Sequence, residues 1–248
     1  MSNHWTIHFY PEVTSTQDVA KQLIGDGASG LFVVQTGHQT KGRGRSGRQW
    51  SSLEGNLQAT LCVPMDFDVA KAANYSFLIS LSVSAALDAF LQLGQEDEAQ
   101  LSYKIEHKWP NDVWVNGRKI CGILLEIHDR YLLVGCGVNL QNSLEENICL
   151  SQLTDREIDI RGFLNIVLSK IDFYREVLES DGFGVILDLW TKQARGVGEE
   201  IMVRTVTEQF TGIFDGLEPN GALRVFVDCE GKQHFRIIHS ADVFFAKT

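Results

Sequence analysis

The sequence predicts a chain of mixed α and β structure that ends in a separate small β domain. Residues 5–196 combine strand-like alternation of polar and apolar residues with the spacing of amphipathic helices, whereas only short strands follow Gly198. The composition agrees, because 248 residues with 44% hydrophobic and 22% charged side chains suit one large domain and a small appendage.

The first part of the chain is predicted to place two strands and a helix around a glycine-rich loop. The predicted elements are strands at 5–10 and 31–35 and a helix at 17–24. Ser15 or Thr16 can cap that helix. Residues 36–52 lose the apolar pattern and interleave glycines with basic residues, which predicts a flexible loop.

The middle of the chain is predicted to alternate strands and helices. The predicted elements are a strand at 56–63, a long buried helix at 70–93, a meander of strands at 113–115, 119–127 and 131–140, and helices at 159–179 and 187–194. Asn116 and Gly117 suit a two-residue hairpin turn with positive φ.

The last part of the chain is predicted to be a small β-barrel of roughly fifty residues, near the lower size of an independently folding domain. Its predicted strands are 201–206, 210–214, 222–228 and 234–238, with turns at Asp215-Gly216, Asn220-Gly221 and Glu230-Gly231.

Charge and cysteine usage limit the class of protein. A net charge of -10 argues against a broad nucleic-acid surface. No apolar run approaches the ~20 residues of a membrane span and no export signal is evident, so we expect a soluble cytoplasmic protein that binds no membrane. The cysteines are odd in number and widely spaced, which favours buried reduced thiols. They are Cys62, Cys121, Cys136, Cys149 and Cys229.

The most unusual segment is the basic loop at residues 42–50. Its glycines allow backbone N–H groups to approach phosphate oxygens, its arginines can neutralise an anion, and Trp50 can stack on adenine. The loop is neither a Walker loop nor a dinucleotide-binding turn. Phosphate binding, contact with RNA and a solvated loop without function all stay open from spacing alone.

Two further segments carry candidate site residues. Pro110 holds residues 108–112 in a rigid turn, and Lys119 precedes an apolar strand, where it can neutralise an anion in a partly dry pocket or act as an ordinary edge charge. Residues 135–139 place two glycines in an apolar strand, which marks a bulge or a close approach. Asn139 then offers an amide that serves either a ligand or a turn.

Taken together these segments resemble the biotin protein ligase family. The resemblance is carried by residues 39–45 with 47, 48 and 50, then by 108–112, 118–126 and 135–139, in the family's order. It implies an α+β catalytic domain over residues 1–196, with a mixed sheet backed by helices as in class II synthetases. It also implies an SH3-like β-barrel over residues 197–248.

The resemblance implies formation of biotinyl-5′-AMP from biotin and ATP with Mg²⁺, followed by transfer of biotin to a lysine. The expected biotin pocket is Ser15, Thr16, Gln17, Gln39, Arg43, Gly44, Arg45 and Lys119, with Gln17 standing where relatives often have Asn. Trp50 is expected to stack on adenine and Asn139 to contact the purine. The other expected cofactor-binding residues are Gly42, Arg48, Gly122 and Gly137. The expected catalytic residues are Lys119, Arg43, Arg45 and Asp112, and no metal ligand is assigned.

The implied partner is a biotin carboxyl carrier protein of a biotin-dependent carboxylase such as acetyl-CoA carboxylase. The catalytic pattern begins within the first twenty residues, so we expect no N-terminal DNA-binding domain. The sequence does not distinguish a monomer from a homodimer. The rival functions are a lipoate or octanoate ligase or transferase of the same fold, and an RNA-binding module.

Overall fold

A seven-stranded sheet forms the larger part of the computed structural model, which describes residues 5–65, 68–93, 103–229 and 232–245. The strands are β1 (Thr6–Val13), β2 (Phe32–Gln39), β3 (Leu57–Pro64), β4 (Ile105–Lys108), β5 (Asp112–Val115), β6 (Arg118–His128) and β7 (Tyr131–Val138). Their order is β1-β2-β3-β7-β6-β5-β4. β1 and β2 are parallel and the other neighbours are antiparallel, so the sheet is mixed.

Among the residues that the structure describes, four α-helices cover the two faces of this sheet. They are α1 (Thr16–Gly25), α2 (Asn74–Gln92), α3 (Ile160–Ser180) and α4 (Phe183–Lys192). Alternation along the strands divides the apolar side chains between the faces. Leu61 and Val134 belong to the large core beneath α2, α3 and α4, whereas Cys62 and Leu133 belong to a smaller core beneath α1.

α2 is the central core helix. By length and composition it is the one helix of the described residues that could cross a membrane, which corrects the expectation that no segment approaches that length. However, 78% of its apolar window is buried inside the fold. Two of its serine hydroxyls bond within the helix, since Ser80 donates to the Phe77 carbonyl and Ser82 to that of Leu78.

The C-terminal strands form a second, antiparallel sheet. They are β8 (Glu200–Arg204), β9 (Gln209–Leu217), β10 (Leu223–Cys229), β11 (Lys232–Ile238) and β12 (Asp242–Phe245). Their order is β11-β10-β9-β8-β12. This sheet packs on the rest of the fold. Val203 and Phe214 join the core beneath α2, and Trp109 Nε1 donates to the Gly221 carbonyl at 2.9 Å.

Several local predictions are confirmed. β5, β6 and β7 form the predicted meander, and Asn116 and Gly117 have φ values of 50° and 74° at its first turn. The helix predicted at 159–179 is α3. Cys62, Cys121, Cys136 and Cys149 are free and buried, while the Cys229 side chain and the predicted turn at 230–231 lie outside the described residues.

Other local predictions were wrong. β2 continues to Gln39 because it pairs with β1 as far as Val13, so the loop begins only at Thr40. Residues 215–216 lie inside β9, opposite a register shift in β10, and form no turn. Ser15 stands at the start of α1, but its side chain makes no capping hydrogen bond. β4 and β12, of four residues each, were not predicted.

Candidate active site

A cavity of about 200 Å³ opens where the large sheet meets the basic loop and the C-terminal sheet. Its lining comes from the start of α1, the basic loop, β4 to β7 and residues 241–244. Its charged lining residues are Arg43, Arg45, Arg48, Lys108, Lys119, Asp112 and Asp242. Five cations against two carboxylates, in a chain of net charge -10, favour an anionic ligand.

The inner end of the cavity is polar and buried. Ser15, Thr16 and Gln17 line it, each no more than 3% exposed. The Thr16 backbone N–H and hydroxyl both donate to Gln39 Oε1, at 2.9 and 3.1 Å, and Thr60 Oγ1 donates to Thr16 Oγ1 at 2.8 Å. A few fixed polar groups in a closed space are suited to orienting a polar ligand head.

Three glycines of β6 and β7, namely Gly122, Gly135 and Gly137, form what we call the glycine floor. The Trp50 indole lies on two of them. A Cβ atom built on Gly137 would lie 2.4 Å from Trp50 Cζ2, and one on Gly122 would lie 2.9 Å from Trp50 Cζ3. Only glycine admits the ring at this distance. Of the two glycines predicted in β7 to mark a bulge or a close approach, Gly137 is therefore confirmed as a place where another group comes close.

Lys119 and Asp112 form an ion pair beside this floor. Lys119 Nζ lies 2.7 Å from Asp112 Oδ1, and the two side chains are 28% and 18% exposed. Lys119 Nζ also lies 5.5 Å from the centroid of the Trp50 ring. The basic loop and the lysine of β6 thus meet at one point.

Arg43 is held by acidic side chains near α1. Both of its Nη atoms donate to the Asp18 carboxylate at 2.8 Å, and its Nε lies 3.7 Å from Glu126 Oε1. These hydrogen bonds hold the pKa of Asp18 below its usual value and raise the pKa of Arg43. Arg43 therefore lines the cavity while its positive charge is already paired with the carboxylate of Asp18.

Arg45 and Arg48 connect the basic loop to other elements. Arg45 Nη1 donates to Asn111 Oδ1 at 3.1 Å, and Arg48 Nη2 donates to Asp242 Oδ1 at 2.6 Å. Burial lowers the pKa of Arg45, but a guanidinium keeps its charge. Both side chains are thus cations in the cavity lining. We call the part of the cavity that Arg45, Arg48 and Asp242 line its mouth.

Lys108 and the C-terminal sheet add cavity residues that were not predicted. Lys108 Nζ lies 4.8 Å from the Trp114 ring centroid and 5.7 Å from those of Phe244 and Phe245. Burial lowers the pKa of Lys108. The motif at 108–112 was a signal for Lys108, whereas Asp242 and Phe244 follow no motif and reach the cavity only through the fold.

Two predicted site residues lie outside the cavity lining. Asn139 is 6% exposed, and its Nδ2 donates to the Ile148 carbonyl at 3.2 Å. Gly42 accepts a hydrogen bond from the Trp50 N–H at 3.0 Å, and a Cβ on Gly42 would lie 2.7 Å from the Trp50 carbonyl oxygen. Both shape the backbone beside the cavity, and their ligand contacts stay predictions.

The cavity does not form a site for a resident metal ion. Within the described ranges, no group of three or more His, Cys, Asp or Glu could hold one. The two cavity carboxylates, Asp112 and Asp242, are each paired with a cation. Magnesium at nucleotide sites is held largely by phosphates and water, so it does not require such a cluster.

The cavity is small and cationic, with a buried polar end and a glycine floor, and it lies on a mixed sheet. These features define a synthetase-like enzyme for anionic substrates. The chain belongs to the biotin/lipoate A/B protein ligase family, whose model matches residues 10–139.

Named relatives extend over nearly the whole chain. The biotin–[acetyl-CoA-carboxylase] ligase of Paracoccus denitrificans is 32% identical over 246 residues, which cover 94% of this chain and 98% of the relative. The bifunctional ligase/repressor BirA of Bacillus subtilis is 30% identical, with 95% and 72% covered. The biotin protein ligase of Aquifex aeolicus in complex with biotin and ATP superposes with a TM-score of 0.80 at 26% identity, covering 97% and 99%.

Proposed function

We propose that the chain is a biotin protein ligase that forms biotinyl-5′-AMP from biotin and ATP and transfers biotin to a lysine of a carrier protein. The observation that carries this proposal is the meeting of Lys119, Trp50 and Arg45 around one cavity of about 200 Å³. The similar ligases of Paracoccus denitrificans and Aquifex aeolicus support it. We place the reaction in the cytoplasm, with a biotin carboxyl carrier protein of a biotin-dependent carboxylase as acceptor.

The polar inner end of the cavity suits the ring system of biotin. Thr16 and Gln39 hold each other in a fixed orientation, and Ser15 and Gln17 add further polar groups beside them. We therefore assign biotin to the inner end and the nucleotide to the cationic mouth.

In the first half-reaction a biotin carboxylate oxygen attacks the α-phosphorus of ATP. The bond from that phosphorus to the bridging oxygen breaks, and pyrophosphate leaves with the electron pair. Arg45, Arg48 and Lys119 lie where their charge offsets the repulsion between two anions and stabilises the charge that develops. Arg43 holds the loop through Asp18, and Trp50 offers the adenine a flat surface. Mg²⁺ enters with ATP as part of that substrate.

In the second half-reaction the acceptor lysine attacks the carbonyl carbon of the mixed anhydride. An amide forms, and AMP leaves with the electron pair of the broken carbon–oxygen bond. The amine has an unperturbed pKa of about 10.4 and must first lose a proton. We assign Asp112 to steering or deprotonating this amine, since its carboxylate reaches the cavity beside Lys119.

The domain division and the loop motion are further parts of the proposal. We assign residues 1–196 to the catalytic domain and 197–248 to a second domain. The sequence predicted the loop at residues 37–52, and in the structure it begins at Thr40. We expect this loop to order over the adenylate, because its arginines then bind an anion in addition to Asp18 and Asp242. Protection of this loop from protease by biotin plus ATP supports the proposal, and unchanged cleavage contradicts it.

Mass spectrometry of a biotin carrier domain tests the function. The chain is incubated with the carrier domain, ATP and either biotin, lipoate or octanoate, and both the acyl-adenylate and the carrier mass are measured. We expect modification of one lysine with biotin only. An adenylate made from lipoate or octanoate but not from biotin would assign the chain to the other branch of its family.

A further inference from the structure

The C-terminal sheet contributes a wall to the cavity through residues 240–244. This segment comprises the turn before β12 and β12 itself, and Ala241, Asp242, Val243 and Phe244 line the cavity. The first residue of β12, Asp242, is the one carboxylate that this sheet contributes to the cavity lining.

Asp242 holds Arg48 by a short ion pair. Arg48 Nη2 lies 2.6 Å from Asp242 Oδ1, and the side chains are 59% and 32% exposed. Arg48 Nε also donates to the Arg45 carbonyl at 3.3 Å. A guanidinium has five N–H donors, so these two bonds leave donors for an anion. Next to this pair, Arg45 Nη2 donates to Ser240 Oγ at 3.3 Å.

The two charges of the ion pair act in opposite directions on the neighbouring cations Arg45 and Lys108. Burial is the largest effect on the pKa of Arg45 and of Lys108, and it lowers both. The positive charge of Arg48 lowers both pKa values further, whereas the negative charge of Asp242 raises them. The carboxylate of Asp242 therefore offsets part of the repulsion among these three cations. The fold of β12 does not depend on the side chain, because its backbone pairs with β8 from Asp242 to Phe245.

We infer that Asp242 is a positioning residue for the nucleotide, holding Arg48 at the cavity mouth so that its remaining donors meet the phosphates of ATP. The inference rests on the proposed function and extends it, because it gives the C-terminal sheet a part in the first half-reaction. Asp242 itself touches no reacting atom. It acts through Arg48.

The test compares Asp242→Asn with a matched control in the same sheet. Asp215 pairs with Arg224 in β9 and β10 at similar exposure, 35% against 32%, and lies outside the cavity lining. In the adenylate assay, Asp242→Asn is expected to raise KM for ATP about three- to fivefold, as for a moderately exposed ion pair, and to leave KM for biotin unchanged. Asp215→Asn is expected to change neither constant, and Asp242→Glu to recover most of the ATP effect.

A double variant shows whether Asp242 acts through Arg48. Arg48→Ala is expected to raise KM for ATP more than Asp242→Asn, and the combination is expected to add nothing further. An additive loss, an equal rise in both KM values, or a rise with Asp215→Asn as large as that with Asp242→Asn would overturn the inference. So would unchanged kinetics of Asp242→Asn.

The proposed function is tested separately by the same experiment. If the wild-type chain makes no adenylate from biotin, the function fails before any variant is compared. Calorimetry of ATP binding to the wild-type chain and to Asp242→Asn, without any acid present, then still measures the role of Asp242. Equal ATP affinity of the two proteins would overturn that role alone.

Discussion

The glycine floor and the mouth of the cavity are built on different principles. On the floor, backbone approach sets the shape, and a single added methyl group at Gly137 would overlap the Trp50 ring. At the mouth, side chains that are as much as 59% exposed set the charge through ion pairs with carboxylates. The backbone of the sheet thus sets the shape of the floor, whereas exposed side chains set the charge of the mouth. Substitutions should act sterically in one region and electrostatically in the other.

Lys119 stands at the boundary of the two regions, and its loss should have the largest effect. Lys119→Ala is expected to lower kcat for adenylate formation by about 10²- to 10³-fold, because a fixed charge donor at a developing anion is removed. Single-turnover adenylate formation measures it. The matched control is Lys104→Ala, since Lys104 is 77% exposed and its partner is Glu106. A decrease in kcat of less than fivefold would contradict a direct role of Lys119 in stabilising the developing negative charge.

Gly137→Ala tests whether the floor acts through shape alone. The new methyl group would force Trp50 off the floor, and we expect kcat/KM for ATP to fall about 10- to 100-fold, in line with the cost of overpacking. Gly135→Ala is the matched control on the same strand. Its Cβ would lie 3.2 Å from Gln17 Nε2, and the Trp50 ring is not among the atoms nearest to it. Equal effects of the two substitutions would contradict the steric argument.

Asp112→Asn separates the two half-reactions. The change keeps the size of the side chain but removes the carboxylate that pairs with Lys119. We expect transfer to the carrier domain to fall at least about tenfold more than adenylate formation, because deprotonation of the acceptor amine is needed only in transfer. Rapid-quench measurement of each step checks this. Equal losses in both steps would show that Asp112 serves only to hold Lys119.

Motifs in the sequence located the floor more completely than the mouth. The glycines of β6 and β7 and the basic loop belong to contiguous segments, so their residue types could be assigned before the fold was known. The partners of the arginines could not. Asp18 and Asp242 are 25 and 194 positions away from Arg43 and Arg48, and only the tertiary fold brings such pairs together.

The same distinction explains the errors in secondary structure. The meander of β5 to β7 was predicted because an Asn-Gly turn and apolar runs are local signals. β4 and β12 have only four residues each, and their pairing with β5 and β8 defines them. The extension of β2 to Gln39 likewise comes from pairing with β1. The polar residues at the end of β2 lack the apolar alternation by which a strand is predicted.

A buried histidine supports the wall of the cavity from behind. Along β4, Lys108 lines the cavity while its neighbour His107 lies in the core. His107 Nε2 lies 2.8 Å from Ser84 Oγ and its Nδ1 lies 3.2 Å from the Trp190 carbonyl. A neutral ring satisfies both, accepting from the hydroxyl and donating to the carbonyl. Burial lowers the pKa of His107 to about 4.

This depressed pKa predicts a pH-dependent stability of the wall. Above pH ~6.5 neither the folded nor the unfolded chain protonates His107, and its full contribution is present. Below that pH the unfolded chain binds a proton that the folded chain does not accept until about pH 4, so stability is lost as the pH falls through this window. We expect the free energy of unfolding to fall by about 1 kcal/mol from this residue between pH 7.5 and 5.5. Urea unfolding of the wild-type chain and of His107→Gln at both pH values isolates the effect, because the variant retains every other titrating group. The same pH dependence in both proteins would show that the histidine is not the buried neutral support of the cavity wall.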